Sequence, residues 1–285
     1  MADHELKPIL ERIAETLESM VPRQVKDHSV EEADAFVWQT EPEKLIKIYE
    51  VNRVKLNLLH GIDQQIEILK GNTERFSNGF SANNALLWGA RGTGKSSLVK
   101  AIHEEINQKT PGALVLIEIH REDINTLPKL LSILSKSSRR CLLFCDDLSF
   151  EIEDSTFKSL KAVLEGGIEG RPANIIFYAT SNRRHLMPRD MIENERSNAI
   201  HTAEAVEEKV SLSDRFGLWL GFHPVKQDTF FEMIQSYAKE YKLELDQKTL
   251  HAEALEWSMT RGSRSGRVAF QFIQDLAGRL GKNID

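Results

Sequence analysis

Cysteine is scarce in this chain: Cys141 and Cys145 are the two among 285 residues. Two thiols cannot build a disulfide framework, and the partners that a zinc site needs are missing. Both are expected on one face of a buried strand, in a reducing, cytoplasmic setting. Long apolar runs are missing as well. None approaches the roughly 20 residues that a membrane helix needs. The opening "MADHELKPIL" has no basic stretch leading into an apolar segment of the secretory kind. Positive charge is in deficit too. A net charge of −6 argues against a protein held on nucleic acid by bulk electrostatics. Three basic islands interrupt that background: "SKSSRR" (135–140), "NRRHLMPR" (182–189) and "RGSRSGR" (261–267). Repeats and low-complexity tracts do not occur. What is there is ordinary for a globular protein, 41% apolar and 28% charged residues. The length suffices for a sizeable core in one large domain or two smaller ones.

Apolar residues at 6, 9, 10, 13, 17 and 20 follow helical spacing, and Pro8 suits a first helical turn. With "TEPEKLIKIYEVNRVKLNLLHGID" leading to a turn at Gly61, residues 1–58 read as a mostly helical N-terminal segment. From residue 83 the rhythm changes. Short, β-branched apolar runs appear at "ALLWG", "ALVLIEIH", "CLLFCDD", "NIIFYATSN" and "LWLGF", with helical stretches such as "KSSLVKAIHEEI" and "STFKSLKAVLEGG" between most of them. Near-continuous apolar strands alternating with helices indicate a parallel sheet covered on both faces, here of five strands. After Pro224 the pattern is helical alone. The expected architecture is a three-layer α/β domain over residues 59–225, then a small helical lid domain over 226–285.

The chemistry begins at "GARGTGKS". Gly89, Ala90, Arg91, Gly92, Thr93, Gly94, Lys95 and Ser96 satisfy G-x-x-x-x-G-K-[ST] in full. Glycines let the backbone turn so that successive N–H groups point inward and phosphates can approach. A helix starting near Gly94 adds its positive end. Lys95 is expected to reach the β- and γ-phosphates and Ser96 to hold Mg²⁺, with residues Gly89 through Ser97 forming the nucleotide cradle. The strand before and the helix after supply the context the motif requires. The run "CLLFCDDL" adds acids at a strand end. Asp146 is expected to coordinate Mg²⁺, usually through water, and Asp147 to polarise the attacking water.

At this point the sequence resembles the AAA+ ATPases, over roughly residues 59–280. "LLHGIDQQ" resembles the segment that lies near the adenine, which places Ile62 there. "ATSN" ends a strand as the sensor-1 position does, and implies that Asn182 sits near the γ-phosphate. "SLSDRFGLWLGF" resembles the arginine-finger segment, with Arg215 the matching residue. The other role open to Arg215 is a pairing with Asp214 or a nearby glutamate. "GSRSGRVAFQF" opens the final helix, where the family places a sensor-2 arginine. Arg267, directly before the helical "VAFQF", matches ahead of Arg264. "LEGGIEGRPANIIFYATSNRRHL" and "EEKVSLSDRFGLWLGF" are further similar to a family of bacterial AAA+ proteins described only as ATP-binding.

The resemblance implies an oligomeric ATPase whose turnover of ATP to ADP switches the lid, and with it a protein or nucleic-acid partner. One departure concerns rate. Many members end the acidic strand in Asp-Glu, whereas Asp146-Asp147 is one methylene shorter, so slow turnover is expected. A second reading is an ATP-dependent assembly module with negligible hydrolysis. A third is a small-molecule P-loop kinase using Arg183 and Arg184 on its acceptor, against which the helical C-terminal domain argues. "EGGIEGRP" (165–172) is expected to form a turn and residues 187–210 a surface insertion at a subunit interface.

Overall fold

The computed structural model describes residues 29–150, 156–165, 170–184, 186 and 212–284. Its seven strands are β1 (Ala35–Thr40), β2 (Glu43–Lys47), β3 (Ala85–Gly89), β4 (Val115–Glu118), β5 (Cys141–Cys145), β6 (Ile175–Ser181) and β7 (Leu218–Phe222). They form one sheet in the order β2-β1-β4-β5-β6-β3-β7. Only β1 and β2 pair antiparallel. Every other neighbouring pair is parallel. Against the sheet pack α1 (Asp63–Ser77), α2 (Lys95–Lys109), α3 (Leu127–Leu134) and α4 (Thr156–Glu165).

The layering follows from alternation along the strands. In β5, Cys141, Leu143 and Cys145 join the core shared with Leu127, Leu130 and Leu134 of α3 and Leu160 of α4. Leu142 and Phe144 point the other way, to Leu69 and Phe76 of α1 and Leu98, Val99 and Ile102 of α2. Each such aliphatic side chain contributes about 1.5–3 kcal/mol by leaving water. β5, buried at every position, is accordingly free of charged residues, and Asp146 follows directly after it. β3 and β6 are neighbours from which the chain departs in opposite directions across the sheet. In open α/β sheets, ligands bind beyond the carboxyl ends of strands at such a point.

The N-terminal segment departs from the sequence expectation. Residues 1–28 lie outside the described residues. After them comes a β-hairpin and a single 3-10 turn, Leu56–Leu58, where helix was expected. The sheet accordingly has two strands more than the five foreseen. The reason is visible in "AFVWQT": β-branched and aromatic residues suit a pleated surface, and Trp38 is fully buried with its Nε1 donating to Thr126 Oγ1 at 2.8 Å. In "EKLIK" Leu45 is buried and Ile46 exposed, the period-2 signature of a strand.

Two arginines of the basic island at 135–140 are taken up by the fold. Arg139 donates to the carbonyls of Val30 at 2.6 Å and Ala33 at 2.7 Å. Arg140 donates to Ala173 O. Both are structural clamps.

Three helices follow β7: α5 (Gln227–Glu240), α6 (Gln247–Thr260) and α7 (Gly266–Arg279). Phe230, Ile234, Ala254, Phe272 and Ile273 give them a core of their own, which Leu58 of the 3-10 turn enters from the other domain. Asp246 caps α6 by accepting from Thr249 N at 3.1 Å, and Ser265 caps α7 by accepting from Val268 N at 3.3 Å. The surface insertion expected at 187–210 lies outside the described residues, as do residues 166–169 of the "EGGIEGRP" stretch. Among the described residues no helix is long and apolar enough to cross a membrane.

The two thiols are fully buried, and burial pushes Cys141 up to about 12 and Cys145 further still. Thiolate is the reactive form. Neither cysteine is expected to be labelled by an aromatic disulfide reagent in the native protein over minutes, and both should react at once in denaturant. Rapid native labelling would remove β5 from the interior.

Candidate functional site

The loop after β3 is forced into shape by its surroundings. Gly89 adopts φ +133, and a Cβ there would lie 2.0 Å from Phe222 O of β7. Ala90 N then donates to that same carbonyl at 3.1 Å. Gly92 and Gly94 also have positive φ, at +69 and +90. Only glycine takes these angles without strain. Gly94 hands directly into α2, whose first turn carries neither a side-chain cap nor an acidic residue. Its free amides and the helix dipole therefore point at whatever anion the loop encloses.

Lys95 is 6% exposed, and its Nζ donates to Gly89 O at 2.9 Å, Ala90 O at 2.7 Å and Asn182 Oδ1 at 3.3 Å. Burial is the largest influence and holds its pKa below the ordinary lysine value. Asp146 and Asp147 oppose that fall, while Arg91 and Arg267 add to it. Among the described residues no carboxylate forms an ion pair with this ammonium, and a phosphate would supply the missing anion.

The acids stand where the sequence expected them. Ser96 Oγ donates to Asp146 Oδ1 at 2.6 Å, bridging α2 to the end of β5. A hydroxyl and a carboxylate are hard oxygen donors of the kind Mg²⁺ takes when phosphates and water complete its shell. Among the described residues no group of three or more His, Cys, Asp or Glu could hold a metal by itself. Asn182 Nδ2 donates to Asp147 Oδ1 at 2.5 Å, and Asp147 itself has φ 51. Thr180, which lies within "ATSN" but is given no role by the resemblance, bonds to both acids through its hydroxyl.

The lid closes on the loop through its backbone. Gly266 N donates to Gly92 O at 2.8 Å, and a Cβ on Gly92 would meet Ser265 Oγ at 2.8 Å. Between lid and loop runs a cleft of about 600 Å³ lined by Arg91, Gly92, Gly94, Lys95, Ser96 and Ser97, by Asp146, Asp147, Thr180 and Asn182, and by Tyr237, Arg267 and Phe270. Val54 and Leu59 form its other apolar wall and continue into an adjoining cavity of about 1380 Å³. Leu59 belongs to the "LLHGIDQQ" segment that the resemblance places near the adenine, whereas Val54, Tyr237 and Phe270 were not foreseen, because they come from three segments far apart in sequence.

Other expected residues sit at one remove. Ile62 is buried and would touch a Cβ on Gly94 at 3.6 Å, so it supports the loop from beneath. Thr93 is buried and donates to Ala90 O at 2.8 Å. Arg264 does not line the cleft; Arg267 does. Arg215 does not line it either and pairs with Glu165 at 2.5 Å. Arg184 stacks over Trp88 and Trp219, 5.1 and 5.2 Å from the ring centroids.

A family model described as "Protein of unknown function (DUF815)" matches residues 31–280. No curated protein matches the sequence. Among solved structures, the chain is similar to the RuvB Holliday junction branch migration motor of Thermotoga maritima, at 16% identity and a TM-score of 0.51, covering 80% of this chain and 66% of that one. It is similar also to the Aeropyrum pernix ORC1 protein solved in complex with DNA, at 15% identity and a TM-score of 0.54, covering 77% and 61%. This chain thus spans less than two thirds of the length of either, and at these identities the likeness is one of fold.

The geometry separates two kinds of substitution in one loop. Lys95→Ala is expected to fold and to lose ATP affinity in calorimetry, because the lysine's strongest partner would be phosphate. Gly89→Ala is expected to lose at least about 2 kcal/mol in denaturant unfolding, since strain at a forbidden φ adds to a backbone clash. Unchanged ATP affinity in Lys95→Ala would refute the phosphate assignment.

Proposed function

The chain belongs to the DUF815 family and has the AAA+ P-loop NTPase fold, and on that premise we propose that it is an ATPase acting as an oligomer on a macromolecular partner. The observation that carries this reading is the bridge from Ser96 Oγ to Asp146 Oδ1 at 2.6 Å, beside Lys95 and beneath the lid. It joins the two halves of a metal–triphosphate site within one cleft.

In this reading the amides from Gly92 to Ser97 and the Lys95 ammonium bind the β- and γ-phosphates. Ser96 and Asp146 hold Mg²⁺, which when bound offsets phosphate charge. Asp147 accepts a hydrogen bond from the attacking water, and Asn182 orients the water or the γ-phosphate. Arg267 reads the phosphate from α7, so that hydrolysis alters the lid angle and partner binding. Arg215, which lies off its own subunit's cleft, reaches the neighbouring subunit's phosphate. Val54, Leu59, Tyr237 and Phe270 offer apolar surface for the base.

A second reading, an ATP-dependent assembly module with little turnover, draws support from two contacts. Asp147 is engaged by Asn182 and Arg215 by Glu165, so both groups needed for hydrolysis have partners within the chain. The kinase reading loses ground, since Arg184 is committed to its two tryptophans.

Asp147→Asn is expected to keep Mg²⁺·ATP affinity while phosphate release falls to background, because the amide keeps the shape and removes the charge that polarises water. Turnover at the wild-type rate would move the base elsewhere. A pull-down with this variant is the direct way to capture the partner.

Arg215→Ala is expected to leave ATP affinity nearly intact and to lower turnover about 10³-fold, the usual cost of a missing arginine finger. Mixing it with Lys95→Ala subunits, which are inactive but carry the arginine, should restore part of the activity. No recovery under conditions where oligomers form would sink the trans-acting role.

A further inference from the structure

Thr180 lies two residues before Asn182, near the end of β6, and is 2% exposed. It touches three consecutive residues that follow the adjacent strand β5. Its hydroxyl proton goes to Asp146 Oδ1. Its hydroxyl oxygen accepts from Asp147 N at 3.0 Å. Its backbone carbonyl accepts from Leu148 N at 2.7 Å. One residue therefore sets the carboxylate of the first acid and the backbone of the second.

Both tasks have a physical need behind them. Asp146 Oδ1 also receives the Ser96 hydroxyl. On the ATPase reading, Ser96 would turn that oxygen toward a metal, and the Thr180 proton would be left to hold the carboxylate in place. Asp147 sits at φ 51, a conformation that costs a non-glycine residue about 1–3 kcal/mol and persists only when its surroundings enforce it. The bonds from Asp147 N and Leu148 N to Thr180 enforce it on both sides of the strained residue. A β-strand continuing straight past Cys145 would send Asp147 back toward a sheet face.

We infer that Thr180 is the positioning residue of the acidic pair: its hydroxyl aims Asp146 at the metal and fixes the turn that presents Asp147 to the water. This rests on the proposed ATPase reading for its function, and on the three contacts alone for its geometry. Valine at this position has nearly the same shape and neither hydroxyl bond. It would leave Asp147 N–H without its hydroxyl partner and Asp146 held by Ser96 alone, while the phosphate loop and Lys95 stay untouched.

The test uses the full chain with Thr180→Val and Thr180→Ser. Binding of a non-hydrolysable ATP analogue is measured by calorimetry across a Mg²⁺ titration, together with kcat and KM for phosphate release. In Thr180→Val the Mg²⁺ needed for half-maximal analogue binding should rise, and kcat fall, by about 10–100-fold, the usual cost of losing a partner that orients a metal ligand. Affinity for the analogue without Mg²⁺ should not change, and KM should move less than kcat. Thr180→Ser should restore both. A serine variant as defective as valine would reduce the role to packing and overturn the inference, as would a valine variant with wild-type Mg²⁺ dependence. The wild-type Asp147 amide should also be protected in hydrogen exchange although the residue is exposed; an unprotected amide overturns the inference even if the valine variant does not fold. A wild type that binds no analogue at all, with that amide protected, would instead bring down the nucleotide reading and the role assigned to Thr180 within it.

Discussion

The close approach of Gly89 to Phe222 is the constraint on which the site depends. β3 is held between β6 and β7, and at its carboxyl end the backbone of β7 comes so near that a single methyl group would lie 2.0 Å from a carbonyl oxygen. The chain cannot go straight on, so it turns. Ala90 N is fixed to Phe222 O, Lys95 Nζ is fixed to the carbonyls of Gly89 and Ala90, and α2 starts from the left-handed Gly94. The same turn carries Gly92 to the lid, where its carbonyl receives Gly266 N. A contact between two strand ends thereby sets the loop, the lysine and the docking point of the second domain.

Charge distribution follows from that placement. A nearly buried ammonium is costly unless opposite charge is close. Asp146 and Asp147 provide some, from just beyond β5, whose carboxyl end the parallel sheet brings to the same edge as that of β3. Arg91 and Arg267 then tip the cleft back toward positive. A triphosphate with its metal is the kind of ligand that would settle this balance, since it brings negative charge to the lysine and positive charge to the acids. The favourable field is local. It stands against a chain whose net charge is −6.

How far the sequence announced all this depends on whether a feature is local or assembled. Gly89 to Ser97, the acids after β5 and the alternation of strands and helices were legible, because each is a pattern within a dozen residues tied to one physical need. The hairpin of β1 and β2 was not. "KLIKIYEV" places its apolar residues compatibly with either period, and the strand preference of "AFVWQT" becomes decisive once Trp38 is seen buried against the 3-10 segment at Arg121–Thr126. The apolar contributions of Val54, Tyr237 and Phe270 were equally hidden, since they meet only after the lid packs on Leu58. Thr180 escaped for a third reason. A threonine inside an apolar strand looks like filler until the neighbouring strand shows what its hydroxyl meets.

The pairing of Arg215 with Glu165 bears on how an oligomer would work. The contact has good geometry, yet the arginine side chain is 25% exposed and the glutamate 44%. Pairs open to water to that degree are worth roughly 0–1 kcal/mol. The pair with Glu165 gives the arginine a defined direction and adds little to its hold. On the proposed reading, a neighbouring subunit's phosphate would compete for it from a less hydrated cleft, where a charge-assisted bond is stronger. Glu165 ends α4, and α4 packs on the same core as β5. On the same reading, the helix that would hold the arginine for a neighbouring subunit is joined through that core to the strand that leads into Asp146 and Asp147.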